Sequence, residues 1–403
     1  MRPLRNSSLL SSTPILRYSA CPYALSHLQR ILRPQTYSPT ILWGYPPGLA
    51  KRFFSVSTSL QSSPDPTFSY RIGASFSAKD RRFNPKEDSF NFKSDLPVTP
   101  GKEFYTGLPK SGQDAFFISG AANGNNVAFG VADGVGGWSD SGIDSAHFSH
   151  GLCQWIARIV KEALYSEKRY LPPQTLLQNA YNGIVKDGKI EGGGSTACIA
   201  VGSHDGTLQV ANLGDSGFIQ LRLNAVHHFS NPQTHAFNTP YQLSVVPPKI
   251  LALTRLLGGK QLSDSPADSN DTSHQVRHGD VLIFATDGVW DNLSQLELLK
   301  IVSRQMTSLN AWVTGDNGTE VSDSLHDLTQ EGGFPKQHEN TLQTLLAVNI
   351  VGEAKAASIN TRRDGPFAKE VQRRYPDENY HGGKVDDICV VVAIVVKNER
   401  DKS

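Results

Sequence analysis

Acidic residues are missing from the first 64 positions of this 403-residue chain, the first being Asp65. Cysteine is scarce: Cys21, Cys153, Cys198 and Cys389 are the only four, and they lie far apart. That excludes a disulfide scaffold and leaves no paired spacing for zinc. Three of the four sit in apolar runs and read as buried, reduced thiols. An excess of one charge is also lacking, since 39 Lys+Arg against 38 Asp+Glu give a net charge of +1. Such a balance speaks against a dedicated nucleic-acid binder, and no nucleic-acid partner is expected. No uninterrupted apolar window approaches the 18 residues of a membrane-spanning helix, so no transmembrane segment is expected. No internal repeat is visible. What remains is ordinary globular chemistry, 38% hydrophobic and 19% charged, with enough apolar mass for a substantial core.

The even balance conceals a local bias. Residues 1–64 carry Arg2, Arg5, Arg17, Arg30, Arg33, Lys51 and Arg52 together with many serines. An acid-poor, Arg- and Ser-rich N-terminus reads as a mitochondrial transit peptide, and the apolar centre of a secretory signal is absent. Arg52-Phe53-Phe54-Ser55 resembles a matrix-protease site cut after Phe54. A disordered cytosolic tail is the competing reading. The expected organisation is a transit peptide over 1–54, a linker over 55–66, a folded domain over 67–398 and a tail over 399–403.

From Thr67 the texture becomes that of short strands and amphipathic helices. Alternation predicts strands over Thr67–Ala78, Asp114–Ser119 and Asn126–Ala132. Apolar residues at helical spacing predict helices over Ser145–Tyr165, Leu176–Ile184, Gln295–Leu309 and Thr341–Ile359. Ser195–Val201 and Thr207–Leu213 flank Asp205-Gly206 and read as a hairpin. Further strands are expected at Phe218–Leu223, Val281–Ala285 and Ile388–Val396. Strands that follow one another through hairpins favour antiparallel sheets, so the expected class is α+β: a layered α-β-β-α sandwich of two antiparallel sheets flanked by helices. Residues 307–340, polar and poorly periodic, read as a surface insertion.

Aspartates recur where these strands end. Asp133, Asp215, Asp287 and Asp291 follow apolar strands, Asp386 and Asp387 precede the last one, and Asp114 opens an early one. One Asp-Gly is unremarkable, because it is a common turn dipeptide. Several sheet-edge acids together repel if the edges meet and then require cations. Oxygen-only ligation without a His or Cys cluster points to a hard ion, Mg²⁺ or Mn²⁺. Gly192-Gly193-Gly194-Ser195-Thr196 is not a phosphate loop, since no Lys precedes the Ser/Thr pair, and reads as a tight turn into a strand.

The motifs Ala132-Asp133-Gly134-Val135-Gly136-Gly137, Gly193-Gly194-Ser195-Thr196-Ala197, Asn212-Leu213-Gly214-Asp215-Ser216, Ala285-Thr286-Asp287-Gly288-Val289-Trp290-Asp291 and Gly383-Lys384-Val385-Asp386-Asp387 occur in this order. Together they resemble the metal-dependent serine/threonine phosphatases of the phosphatase 2C-like (PPM) family, over roughly 67–398. The Gly-Val-Gly-Gly-Trp after Asp133, with Phe237-Asn238-Thr239-Pro240 and Gln242-Leu243, resembles that family's mitochondrial branch more closely. The resemblance implies hydrolysis of phosphoserine and phosphothreonine in mitochondrial phosphoproteins, with the chain in the matrix. It implies Asp133 as the carboxylate bridging two catalytic ions, the Gly134 carbonyl on the second, and Asp287 and Asp386 on the first. Asp215 and Asp291 match acids near a third, weaker position, Asp114 faces the second ion, and Asp387 stands where the family often has Asn. The implied mechanism has two ions about 3.5–4 Å apart polarising a shared water for in-line attack.

The sequence also departs from the family pattern. Val135 stands where many members have a His proposed as general acid, with His235 as a substitute candidate beside a plain surface-loop reading. Gln113 replaces the acid before Asp114. Pro109 aligns with the phosphate-binding Arg, with Lys110 adjacent but without an Arg's two-pronged geometry. These departures keep open a catalytically weak, phosphoprotein-binding or regulatory protein as the alternative.

Overall fold

The apolar run that begins at Ile388 has no polar face, so a strand made from it must be covered on both sides. The computed structural model describes residues 67–92, 110–120, 126–165, 171–256, 264–316, 318–333 and 340–398. The expected transit peptide, linker and tail, and Pro109, lie outside the described residues. β17 (Ile388–Lys397) is the centre of one six-stranded sheet. Its order is β2 (Ser89–Asn91), β1 (Phe68–Ser77), β17, β14 (Val281–Ala285), β8 (Gly217–Arg222), β9 (Ala225–Phe229). The second sheet has five strands in the order β13 (Asn270–Gln275), β7 (Thr207–Leu213), β6 (Ala197–Ser203), β4 (Asn126–Asp133), β3 (Asp114–Gly120). All neighbours in both sheets are antiparallel.

The two-residue period of a strand explains the layers. On β17, Cys389, Val391, Ala393 and Val395 point into the core between the sheets, where they meet Phe129, Val131, Phe218 and Phe284. Ile388, Val390, Val392, Ile394 and Val396 point the other way. There they are covered by α5 (Gln295–Ser308) and α7 (Leu342–Ser358) through Leu298, Val302, Leu346 and Ile350. The outer face of the five-stranded sheet is covered by α1 (Ala146–Tyr165) and α2 (Pro173–Asp187). Phe148, Leu152, Ile156 and Leu177 pack there on Phe117 and Ile199. The result is the expected α-β-β-α sandwich. α5 starts where Ser294 and Glu297 form a reciprocal capping box, which satisfies two otherwise orphaned N–H groups.

The remaining elements are short. β5 (Gly193–Ser195) pairs with β12 (Leu243–Val245), and β10 (Thr234–Ala236) with β11 (Thr239–Pro240). α3 (Pro248–Leu256), α4 (Asp287–Trp290) and α8 (Pro366–Arg374) complete the connections.

Residues 307–340 differ from the expected surface insertion. They hold a hairpin, β15 (Trp312–Gly315) with β16 (Gly318–Val321), and a short helix α6 (Leu325–Leu328). Trp312 and Leu325 are fully buried in the core under the six-stranded sheet, and the Trp312 indole N–H donates to the Gly279 carbonyl at 3.2 Å. A few scattered buried side chains, Trp312 the largest, anchor this polar segment, and they leave no periodicity to read. Replacing it tests the anchor. Trp312→Ala should cost about 3–5 kcal/mol in urea unfolding, whereas a residue on a detached insertion would change stability by less than about 0.5 kcal/mol.

Candidate metal centre

The strand-end aspartates meet where the two sheets face each other. In the five-stranded sheet, Asp114 lies directly opposite Asp133 across β3 and β4. In the six-stranded sheet, β14 ends beside the start of β17, Ala285 pairing with Val390, so Asp287 and Asp386 leave the sheet together. The sheets are tied at this point by Thr286. Its hydroxyl donates to Asp114 Oδ2 at 2.7 Å and accepts the Cys389 N–H at 3.0 Å. Thr286 and Asp114 are buried, whereas Asp133, Asp215, Asp287, Asp291 and Asp386 remain partly open to solvent.

The glycine-rich motifs support this edge rather than add chemistry to it. The Thr196 N–H donates to the Asp133 carbonyl at 2.9 Å, and the Asp133 N–H to the Thr196 hydroxyl at 3.3 Å. The Val135 N–H donates to the Gly194 carbonyl, and Gly134 bridges to Ser195. Gly193 takes φ +124° in this approach, a conformation that a side chain would strain. The Thr196 hydroxyl meets that of Ser216, next to Asp215, at 2.7 Å.

Burial and mutual repulsion dominate the electrostatics. Burial, then the charges of Asp287 and Asp114, push the Asp133 carboxyl well above the usual carboxylate range. Burial and Asp387 do the same to Asp114, and burial with Asp287 and Asp291 to Asp215. Burial raises Asp291 to about 7 against the pull of Lys384. Burial and Asp287 raise Asp386 to about 6. Asp287 goes the other way: burial opposes its ionisation, but the Lys384 charge and hydrogen bond outweigh this. The Lys384 ammonium lies 2.5 Å from Asp287 Oδ2, 2.6 Å from Asp291 Oδ2 and 3.2 Å from Asp386 Oδ2. Among the described residues no three acids close on a common point by themselves; where these three converge, the lysine stands.

The chain belongs to the protein phosphatase 2C family. The family profile matches residues 105–328. A human protein phosphatase PTC7 homolog is 35% identical over 74% of this chain and 85% of its own length. The yeast protein phosphatase 2C homolog 7, mitochondrial, is 30% identical over 84% and 85%. Among solved structures, the photosystem II phosphatase PBCP aligns with a TM-score of 0.53 at 22% identity, over 81% of this chain and 98% of that one, which shows the same fold. The chain is therefore a metal-dependent serine/threonine protein phosphatase of the PTC7 type, and divalent metal dependence comes with the family. The residues here fit such ions. All the side-chain donors are oxygens, six acids face one lysine, and Asp215 Oδ1 is buried without a hydrogen-bond partner, an orphan that a hard cation would satisfy.

The structure places the sequence candidates unequally. Asp114, Asp133, Asp215, Asp287, Asp291 and Asp386 come together, with Gly134 beside Asp133. His235 does not join them: its Nε2 lies 3.0 Å from both Asp264 oxygens, and its ring stacks on Tyr241. Lys110 is exposed. Gln113 Oε1 accepts from Lys79 Nζ at 3.3 Å, which puts at this edge a cation that the sequence reading missed. Its signal was its place one residue after the strand over Thr67–Ala78. Asp387 is a tie. Its two oxygens accept the Lys79 N–H at 2.7 Å and the Gln113 N–H at 2.8 Å, joining the chain just after β1 to the starts of β3 and β17. Asparagine offers one acceptor oxygen and one donor group, so Asp387→Asn loses one buried bond and sets an N–H against an N–H. It should lower stability by about 1–3 kcal/mol in denaturant unfolding, and an unchanged midpoint would remove this role.

Proposed function

We propose that this phosphatase acts on phosphoserine and phosphothreonine of mitochondrial proteins, in the matrix, and uses Mg²⁺ or Mn²⁺. The carrying observation is the meeting of Asp114, Asp133, Asp287 and Asp386 from both sheets at one partly open edge, where their charge exceeds what Lys384 can balance. In this reading Asp133 with Asp287 and Asp386 would hold one ion, and Asp133 with the Gly134 carbonyl and Asp114 would hold a second. When bound, the ions supply Lewis acidity to the phosphoryl group and to water.

The chain's own residues supply placement. Thr196 fixes the Asp133 backbone on both sides and Thr286 fixes the Asp114 carboxylate, so the strand ends that carry the acids are placed before an ion arrives. Lys79, beside Gln113, adds positive charge that favours approach of a phosphate dianion. Cys389 is fully buried between the sheets, and His235 is engaged by Asp264; neither is offered to substrate. The chain contributes acceptors and position, and water is the nucleophile.

Relatives that include a yeast protein named as mitochondrial, and a first 64 residues with seven bases and no acids, support import. The expected transit peptide over 1–54 and linker over 55–66 rest on the same bias, and the catalytic domain over 67–398 on the motifs.

Purified residues 55–403 should hydrolyse a small aryl phosphate in the presence of Mn²⁺ and stop when EDTA is added. Asp133→Ala and Asp287→Ala should each lower turnover by at least about 100-fold, with circular dichroism unchanged, because each removes a ligand while relieving repulsion. Near-normal turnover of Asp287→Ala at saturating Mn²⁺ would sink the two-ion reading. Separately, residues 1–60 fused to a fluorescent reporter should enter mitochondria, drawn by an inside-negative potential. A reporter that stays in the cytosol contradicts this, and a mature N-terminus at Ser55 would establish the cleavage point.

A further inference from the structure

Three lysines come to the edge where the aspartates meet, and they are engaged to different degrees. The Lys384 ammonium is taken up by Asp287, Asp291 and Asp386. The Lys355 ammonium, on α7, donates to the carbonyls of Ala78 and Lys79 at 2.9 and 3.1 Å. Lys79 alone of the three is exposed, and among the described residues its ammonium has one partner, the neutral Gln113 Oε1 at 3.3 Å. An ammonium carries three N–H donors, so two remain for another acceptor. Arg81, close by in sequence, has no such reserve: its guanidinium donates to the Lys110 carbonyl at 2.8 Å and to Asp88 at 3.2 Å.

The backbone beneath this pair is fixed. The Lys79 N–H is held by Asp387 and its carbonyl by Lys355. The Gln113 N–H is held by the same Asp387, and its carbonyl accepts the Gly134 N–H at 3.0 Å and the Ser149 hydroxyl at 2.6 Å. Gln113 therefore lies against Gly134 and directly before Asp114, two members of the candidate metal centre. On the open side stand Gly136 and Gly137, both exposed. Neither has a positive φ; a Cβ at Gly137 would meet nothing within 4 Å, and one at Gly136 only Gln113 Oε1 at 3.5 Å. Backbone and packing would both admit a side chain here, and its absence keeps the ground beside the ammonium clear. The neutrality of Gln113 matters too. A carboxylate in its place would pair with Lys79 and repel an incoming dianion, whereas an amide oxygen holds the ammonium by a dipole and leaves its charge uncancelled.

We propose that Lys79 binds a phosphoryl oxygen of the substrate directly, with Gln113 as the neutral residue that positions it. This rests on the metal-centre reading above. It supplies the phosphate-binding cation that the sequence lacks at Pro109, and it assigns that task to Lys79 rather than to Lys110.

The test is calorimetric titration of inorganic phosphate into the full-length chain at saturating Mn²⁺, with circular dichroism as the check on folding. Lys79→Met, which keeps the length of the stem and removes the charge, should weaken phosphate binding by about 10-fold, the scale of a lost hydrogen bond to a charged group. Lys79→Arg should restore most of that loss, which a merely structural role would not predict. Lys110→Met should bind phosphate as wild type does. Gln113→Glu should weaken binding as well, and by about 3-fold less when Lys79 is already Met, because part of its effect passes through the lysine. Equal affinity of Lys79→Met and wild type overturns the proposal, and an equal effect of Gln113→Glu in both backgrounds overturns the role of Gln113. If Lys79→Met does not fold, Lys79→Gln takes its place in the same comparison. A wild type that binds no phosphate in the presence of Mn²⁺ overturns the metal-centre reading and this proposal with it; that outcome is distinct, because in the others wild type binds.

Discussion

Repulsion among six aspartates at the joint between two sheets is the interaction around which the rest of the molecule is arranged. Each acid sits on or next to a strand, or a turn pinned to one, so the backbone cannot retreat from the charge. β14 and β17 are buried on both faces, and an interior packed to near-crystalline density does not yield to a local force. The polar ties complete the frame. Thr286 joins the two sheets, Thr196 holds the turn after β4, and Asn292 holds the loop that carries Lys384. The large apolar core therefore has a role at a site that it never touches, because it holds like charges at a distance they would not choose.

Containing the charge has a consequence for stability. Carboxyls raised above their usual range bind protons more tightly in the folded protein than in the unfolded chain. Stability of the metal-free protein therefore falls as pH rises through the interval between the unfolded and folded values. For Asp386 and Asp291 the interval runs from about 4 to about 6 and about 7 respectively. Asp287 has the opposite sign, because Lys384 favours its ionised form. Protons, the lysine and divalent ions are thus three ways of meeting one excess of negative charge. Only the divalent ions also bring chemistry.

The layers could be read from the sequence because they follow from short-range period. Ile388–Val396, Val281–Ala285 and the helices over Ser145–Tyr165 and Thr341–Ile359 announce themselves within a window of ten to twenty residues, and the strand-end acids with them. Contacts between distant positions could not be read this way. Nothing near Lys384 in sequence shows that it reaches Asp291, 93 residues away. Thr286 is one threonine among many until β3 is brought against it from 172 residues away. Trp312 looks like a stray aromatic in polar chain until Gly279 meets its indole. Lys79 is a lysine after a strand like any other until Gln113, 34 residues on, accepts from its ammonium.

Asp386 and Asp387 show how much function can depend on one residue of register. In extended chain, successive side chains point to opposite sides. Asp386 therefore turns toward Lys384 and the cluster, while Asp387 turns the other way to accept the Lys79 and Gln113 amides. One faces a pull from cations, the other satisfies backbone donors that have no strand partner at this edge. A slip of one position in β17 would exchange the two roles. It would also move the alternating apolar residues of β17 from one core to the other, putting Ile388, Val390 and Val392 where the smaller Cys389 and Ala393 belong. The same packing that excludes this slip assigns each aspartate its task, so the register of a core strand and the chemistry at its end are one constraint.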